Sequence, residues 1–187
     1  HPLTRDRVDT IRAHVGRSTN SNVVERPEFV ERHDRMRAKL IAFLRSPTTT
    51  FREYPAKDNS LSSRYARSIA RHKKRETSKA LALIEGLLAE YPKDPYFHEF
   101  HGQILLESGN AEAAVAPYER AVNLRPNEVL LRIGLGQAQV SVENDRYIKA
   151  AVTNMRHAVQ LAPGNPAAWR WLGMAYGRIG DIGQAAL

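Results

Sequence analysis

A short motif near the C-terminus, W-x2-L-G-x2-Y beginning at Trp169, constrains the fold of this chain more than any other feature. Weaker copies of the motif place glycines at Gly102 and Gly136, which lie 34 residues apart. Pro92 and Pro126 are also separated by 34 residues. Two independent markers that share one period indicate a tandem repeat, and a period of this length is typical of repeating helix pairs.

The following repeat is longer. Gly136 and Gly173 are 37 residues apart, and the same distance separates Pro126 from Pro163. We expect the three extra residues to lie in the turn between the two helices of this unit, around Glu143–Asp145.

Each marker has a physical reason. A glycine is expected where two helices cross so closely that a Cβ atom would hold them apart. In the second helix of each unit a small residue does the same work, and a larger apolar residue four positions later fills the space beside it, as in Ala114 with Tyr118 and Ala151 with Met155. Proline ends the second helix, because it lacks an N–H and clashes with the preceding turn.

The motif, the period and the closing proline resemble the tetratricopeptide repeat, or TPR. The resemblance implies an all-α fold, a helix-turn-helix solenoid that acts as a binding scaffold and whose units stack because one helix pair cannot bury its apolar stripe alone. A helical extension or connector at residues 1–59 precedes it. The predicted repeat array covers residues 60–187, with units at about 61–94, 95–128 and 129–165 and a partial unit at 166–187.

The extension is predicted to contain helices. Val8, Ile11 and Val15 have helical spacing, and Pro27 suits the first turn of a second helix, where its missing N–H costs nothing. The second helix carries one apolar stripe, for which we expect the first repeat, or a domain that precedes His1, to be the partner. The stripe consists of Phe29, His33, Met36, Leu40 and Leu44.

A loop is predicted between this second helix and the repeats. Ser46-Pro47 should end the helix, because the residue before a proline avoids the helical conformation. The segment that follows, SPTTTFREYPAKDNS, contains two prolines, Pro47 and Pro55. Ser60 should then cap the first helix of the array.

The start of the chain and the order of its elements suggest a second resemblance. His1-Pro2 followed by Arg7, then the helical connector and then the repeats, resemble the C-terminal part of bacterial M48-type zinc metallopeptidases. In such proteins a catalytic domain with an HExxH motif comes first. The resemblance implies a zinc-dependent parent protein in the periplasm, in the bacterial cell envelope, whose catalytic domain lies outside this chain and is one of its partners. The lack of cysteine fits the cytoplasm as well as the periplasm. This fragment would itself perform no catalysis and need no cofactor.

The residues of the chain contain no HExxH motif. That motif places two histidines one helical turn apart, with the glutamate beside a zinc-bound water. His98 and His101 flank one residue too few, and no third ligand is visible in the sequence. His98 also holds the repeat position of Trp169, so we interpret both histidines as structural. His1 is the one candidate metal ligand: it would reach the zinc of the missing domain, where a neutral imidazole could fill the open coordination position.

Charge is distributed unevenly along the chain. The formal net charge of +8 divides into +10 for residues 1–79 and −2 for residues 80–187. A basic face toward an acidic neighbouring domain is the interpretation we favour, with an anionic membrane surface as an alternative partner. Nucleic acid is disfavoured, because the basic run at residues 71–75 has no interleaved aromatic side chains for stacking on bases. We interpret that run as a helix end, where cations suit the helix dipole.

Binding is expected in the groove lined by the first helix of each unit. Its mixed apolar and basic character suits an extended or partly unfolded polypeptide, with acidic groups near Lys73, Arg170 and Arg178. The helical extension or the missing domain could cover part of this groove. By repeat register the groove residues are Tyr65, Ile69, His72, Lys73, Tyr96, Glu99, Gln103, Leu106, Leu130, Ile133, Gln137, Val140, Arg170, Met174 and Arg178.

Three functions therefore remain open at this point. The leading hypothesis is a protein-interaction region of an M48-like zinc metallopeptidase, which recruits or positions protein substrates or envelope assembly partners. The alternative is a stand-alone TPR scaffold or adaptor without peptidase activity. A basic nucleic-acid adaptor is the weakest of the three.

Overall fold

The computed structural model describes residues 5–20 and 26–180, so the candidate ligand His1 lies outside the described residues. The described residues form ten α-helices and contain no β-strand, which confirms the all-α fold. The helices are α1 (Arg5–Arg17), α2 (Pro27–Leu44), α3 (Pro47–Glu53), α4 (Leu61–Lys73), α5 (Thr77–Glu90), α6 (Pro95–Glu107), α7 (Ala111–Leu124), α8 (Val129–Ser141), α9 (Asp145–Leu161) and α10 (Pro166–Arg178).

Helices α4 to α10 form a stack of helix pairs. Each helix packs against the next along the chain, and the first helices of neighbouring units also meet, α6 with α8 and α8 with α10. The buried residues form a series of apolar clusters along the stack, each shared between successive helices. This is the arrangement that a solenoid of helical hairpins requires.

The ring of Tyr118 on α7 lies between two glycines on two different helices. A Cβ atom built on Gly102 of α6 would be 2.6 Å from Tyr118 Cδ2, and one built on Gly134 of α8 would be 2.5 Å from Tyr118 Cε1. Gly136 faces Met155 in the same way, at 2.5 Å from Met155 Cε. The prediction that glycine permits close crossing of these helices is therefore confirmed.

The first residue of the motif also has a consistent role. His98, Arg132 and Trp169 hold the same register position, and each places a side-chain nitrogen on the carbonyl oxygen six residues earlier, at 2.9, 2.6 and 2.7 Å. In these three units that carbonyl belongs to the proline that closes the preceding helix. The bond anchors each first helix to the preceding turn, and it explains His98 without a metal.

The turn that follows the first helix of a unit has one backbone conformation after α4, α6 and α10. Arg75, Gly109 and Gly180 each have positive φ, at 59°, 88° and 78°. After α4 and α6 the following residue then donates back into the helix end, Glu76 N to Arg71 O at 3.0 Å and Asn110 N to Leu105 O at 2.9 Å. This left-handed residue at a helix C-terminus costs little for glycine and more for other side chains.

The third unit departs from this turn, and the structure corrects our placement of its three extra residues. The loop between α8 and α9 contains three residues, 142–144, as does the loop between α6 and α7. Ala114 is the fourth residue of α7, whereas the equivalent Ala151 is the seventh residue of α9. The three extra residues therefore lie at the start of α9. Asn144 sets the start of this helix by accepting from Arg146 N at 2.9 Å.

The extension also differs from expectation at one point. Helix α2 begins at Pro27 and Ser60 caps α4, as predicted. The predicted loop between them instead contains helix α3, which Ser46 caps by accepting from Thr49 N at 3.2 Å. Pro47 opens this helix as well as ending α2, so one Ser-Pro pair serves both ends.

Candidate protein-binding surface

Helix α2 lies on the surface that the repeat register assigns to the groove of the first unit. Its residues Ala38 and Ala42 are fully buried and share a cluster with Tyr65 and Ile69 of α4. Tyr65 and Ile69, which we expected at the groove surface, are instead inaccessible. Two alanines one turn apart let the backbones of α2 and α4 approach closely, and this is why the small face of α2 is buried.

Basic side chains on the flank of α2 bind the start of the second unit. Arg35 forms a paired contact with Asp94, whose Oδ1 lies 2.7 Å from Arg35 Nη2. The Arg35 guanidinium also lies 4.1 Å from the ring centroid of Phe97. Lys39 Nζ is 3.8 Å from Glu99 Oε2 and 5.9 Å from the ring centroid of Tyr96. The predicted groove residues Tyr96 and Glu99 are thus engaged by α2.

Lys73 has an intramolecular role. Its Nζ donates to the backbone carbonyl oxygens of Ala42, Phe43 and Arg45 at 3.0, 2.8 and 2.6 Å. These carbonyls end α2, where the helix dipole is negative and the acceptors lack helical partners. Our prediction that Lys73 would meet an acidic ligand is therefore replaced by a role in fixing α2.

The apolar stripe of α2 points away from the repeats. Phe29, Met36, Leu40 and Leu44 are exposed to 54%, 58%, 53% and 77%. The first repeat is therefore not the partner of this stripe, because α2 meets the repeat through Ala38 and its neighbours instead. Helix α1 contains no buried residue either.

Beyond α2 the predicted groove is open. On α8 and α10, Leu130 is 68% exposed and Met174 is 45% exposed. Ile133 and Val140 are buried among neighbouring helices, so they are core residues and not surface residues. The other predicted residues of this part are exposed or half-buried: Gln103, Leu106, Gln137, Arg170 and Arg178.

A cavity of about 570 Å³ lies where α2 ends against α4 and α6. It brings together three predicted groove residues, His72, Lys73 and Gln103, with Phe43 of α2. Glu107 accepts there from Gln103 Nε2 at 2.8 Å and lies 2.8 Å from His72 Nε2. The repeat register therefore predicted three of the residues that line this cavity. Phe43 could not be predicted in this way, because it joins the cavity only through the position of α2.

A second cavity, of about 660 Å³, lies between the N-terminal half of α2 and the start of α6. Five of its lining residues are basic and one is acidic. Sequence reasoning missed this site because it combines residues from α2, from the turn before α6 and from the end of α7. The spacing of Arg32, Arg35 and Lys39 on one side of α2 was the only available signal. The basic residues are Arg32, Arg35, Lys39, Lys93 and Arg125, and the acidic residue is Asp94.

Several cations of the N-terminal part are paired with carboxylates of the same chain. Arg64 pairs with Glu90 of α5, and Arg71 and Lys74 both pair with Glu76. The hydrogen bonds from Lys74 and Arg71 lower the pKa of the Glu76 carboxyl to about 2, and Lys74 contributes most. Residues 71–75 do end a helix, as predicted.

Two groups of the groove region titrate away from their usual range. Burial raises the pKa of the Glu99 carboxyl, and the charge of Lys39 partly opposes this shift. Burial lowers the pKa of the His101 imidazole, which the charge of Glu85 partly opposes. His101 Nε2 lies 3.6 Å from Glu85 Oε1, so the imidazole faces α5.

No group of three or more His, Cys, Asp or Glu side chains in the described part of the chain is placed to hold a metal ion. Among the same residues, no helix combines the length and apolarity that crossing a membrane would need.

Residues 65–129 match the tetratricopeptide repeat family. Solved structures have the same fold over most of the chain. MamA 41-end from Desulfovibrio magneticus RS-1 superposes with a TM-score of 0.67 at 21% identity, over 83% of this chain and 89% of that one. The fold is that of a tetratricopeptide repeat protein.

Two further TPR structures resemble this chain. YrrB, described as a TPR protein with an unusual peptide-binding site, has a TM-score of 0.63 at 18% identity, over 79% of this chain and 77% of its own. A thermophilic TPR protein of Thermus thermophilus has a TM-score of 0.57 at 19% identity, over 67% of this chain and 69% of its own. No curated protein sequence matches the chain. At these identities the similarity establishes the TPR fold alone.

Proposed function

We propose that this chain is a protein-interaction scaffold that binds an extended segment of another protein on the open part of its TPR groove, along α6, α8 and α10. One comparison within the chain carries the proposal. Ile69 and Met174 hold the same register position, yet Ile69 is fully buried under α2 whereas Met174 is 45% exposed. The first unit thus already holds a polypeptide segment, α2, on a surface that the fourth unit leaves free.

The surface chemistry supports the same proposal. Leu130 and Met174 supply exposed apolar area, and Arg170 and Arg178 supply charge beside it. Apolar anchors with a charged rim are typical of protein interfaces. The peptide-binding site described for YrrB, a similar fold, gives further support.

The test uses a permanently unfolded protein, reduced and carboxymethylated α-lactalbumin, as the probe. The double substitution Leu130→Asp with Met174→Asp should weaken binding about ten-fold or more, which corresponds to ~1.4 kcal/mol. The matched control replaces Val15 and Leu161, which are exposed to 54% and 38% outside the groove, by aspartate. Equal loss in both double variants, or no loss in either, would reject the groove as the binding surface.

A zinc peptidase parent in the periplasm is a further proposal, which rests only on the resemblance of His1-Pro2, Arg7 and the order of elements. It is tested on the protein expressed with everything upstream of His1. About one zinc per chain and chelator-sensitive cleavage of an unfolded protein would support it, provided that this fragment shows neither. Absence of both from the longer protein would leave the stand-alone scaffold. Cell fractionation tests the periplasmic location separately.

A further inference from the structure

The cavity between α2 and α6 is lined by basic side chains, some of which make no ion pair among the described residues. Of its five basic residues, Arg35 is paired with Asp94 and Lys39 with Glu99. Arg32, Lys93 and Arg125 are exposed and line the same cavity, and no ion pair of theirs occurs within residues 5–20 and 26–180. Three unpaired cations around one concavity attract an anionic group, because their fields add at that point.

The apolar stripe of α2 borders this cavity. Met36 lines the cavity and is 58% exposed. Leu40 follows one turn later and Phe29 lies two turns earlier, both more than half exposed. An apolar face of this kind on a helix surface marks an interaction site when it adjoins polar groups that fix a partner's orientation.

We propose that α2 presents a docking surface for a polypeptide segment that is both apolar and acidic. The apolar side chains of the bound segment pack on Phe29, Met36 and Leu40. The carboxylates of the segment enter the cavity between Arg32, Lys93 and Arg125. Charge complementarity selects this occupant: a neutral apolar segment would leave three cations beside a desolvated interface, and a purely acidic one would leave the stripe exposed.

The proposal rests on the proposed function, since the same polypeptide continues from this surface into the open groove. It gives that groove a polarity. The segment of the ligand that is both apolar and acidic lies at the α2 end, and the segment that packs on Leu130 and Met174 lies along α8 and α10. The acidic groups that we expected near Lys73 are therefore placed at a different site, because Lys73 is occupied by the end of α2.

The experiment compares two fluorescent peptides in an anisotropy titration. One contains leucine and glutamate in equal numbers, and the other has glutamine at every glutamate position. We expect the chain to bind the acidic peptide about ten-fold or more tightly, with a preference that weakens as salt rises. The triple variant Arg32→Gln, Lys93→Gln, Arg125→Gln should lose this preference and leave binding of the glutamine peptide unchanged.

A matched triple variant controls for net charge. Arg52→Gln, Lys57→Gln and Lys149→Gln remove three exposed cations elsewhere and should keep the preference. Equal affinity for both peptides in the unaltered chain would overturn this inference and leave the groove proposal standing. Binding of neither peptide, together with no binding of unfolded α-lactalbumin, would overturn both.

Anionic vesicles provide the remaining arm. Suppose that vesicles containing phosphatidylglycerol bind the unaltered chain and do not bind the cavity triple variant. If the unaltered chain also shows no preference for the glutamate peptide, the cations bind a membrane surface. That result would also overturn the inference.

Discussion

Arg35 of α2 and Asp94, which are 59 positions apart in the sequence, form a two-pronged ion pair that fixes the extension to the repeat array. Asp94 Oδ1 also accepts from the backbone N–H of Tyr96 at 2.9 Å and of Phe97 at 3.1 Å. One carboxylate therefore caps helix α6 and holds α2 over the groove. A side chain that begins a repeat is thus also the anchor of the segment that covers the preceding unit.

Replacing Arg35 should loosen α2 without unfolding the repeats. Arg35→Ala removes charge-assisted hydrogen bonds from a pair whose side chains are 21% and 17% exposed. Such bonds contribute about 1.5–3 kcal/mol each at most, so we expect a loss of about 2 kcal/mol. Hydrogen exchange of the backbone amides in Pro27–Leu44 should become markedly faster.

The control for this experiment is Arg37→Ala, an exposed arginine on the same helix. It should leave amide exchange in α2 as it was. Faster exchange throughout α4 to α10 in the Arg35 variant would show that α2 is an integral part of the array and not a segment laid upon it.

Gly102→Ala should destabilise the chain by about 1–3 kcal/mol, because the new methyl group would overlap the ring of Tyr118, which Gly134 confines from the other side. Gly86→Ala is the matched substitution in a helix, since nothing lies within 4 Å of a Cβ there. It should raise stability by about 0.5–1 kcal/mol. Chemical denaturation of the two variants measures both effects, and an equal response would contradict the packing argument.

Arg75→Gly should stabilise the chain. Arg75 occupies the left-handed turn position, with φ of 59°, that glycine holds in the second and fourth units. Relief of this conformation contributes about 1 kcal/mol, reduced by the greater freedom of glycine in the unfolded chain. The reverse substitution, Gly109→Arg, should lower the midpoint of thermal unfolding. A fall in stability for Arg75→Gly would mean that contacts of the Arg75 side chain outweigh its backbone conformation.

Stability should depend on pH through His101. Burial lowers its pKa in the folded chain below the usual 6.5, so the unfolded chain binds the proton more tightly. The contribution of this group to the free energy of unfolding is therefore fully present above pH 6.5. It is lost as the pH falls below 6.5. His101→Gln should flatten the decline between neutral and mildly acidic pH, which chemical denaturation at a series of pH values measures.

The sequence predicted local features well where a single residue type has one physical role. The glycines at close helix crossings, the cap at Ser60 and the start of α2 at Pro27 follow from backbone chemistry alone. The same kind of argument failed for residues 47–53, because the two prolines of residues 46–60 indicated a loop whereas Pro47 opens a short helix. It also failed for the long third unit, since a count of residues cannot distinguish a longer turn from a longer helix.

The candidate site shows the same division. Periodicity placed Leu130 and Met174 on the groove, and both are exposed. The same periodicity placed Tyr65 and Ile69 there, and both are covered. The stripe of α2 appeared to be its packing face, yet the buried face is formed by Ala38 and Ala42, which carry little apolar area.

The sequence by itself determined that this chain is all-α, that it repeats with the TPR period and where the glycines and prolines allow neighbouring helices to meet. Those properties depend on steric rules within one or two helical turns. Only the tertiary structure decided which face of α2 is buried, which part of the groove is open and which cations share a cavity. These outcomes depend on contacts such as Arg35 with Asp94, whose energies are similar to those of many alternative pairings and whose partners are far apart in the chain.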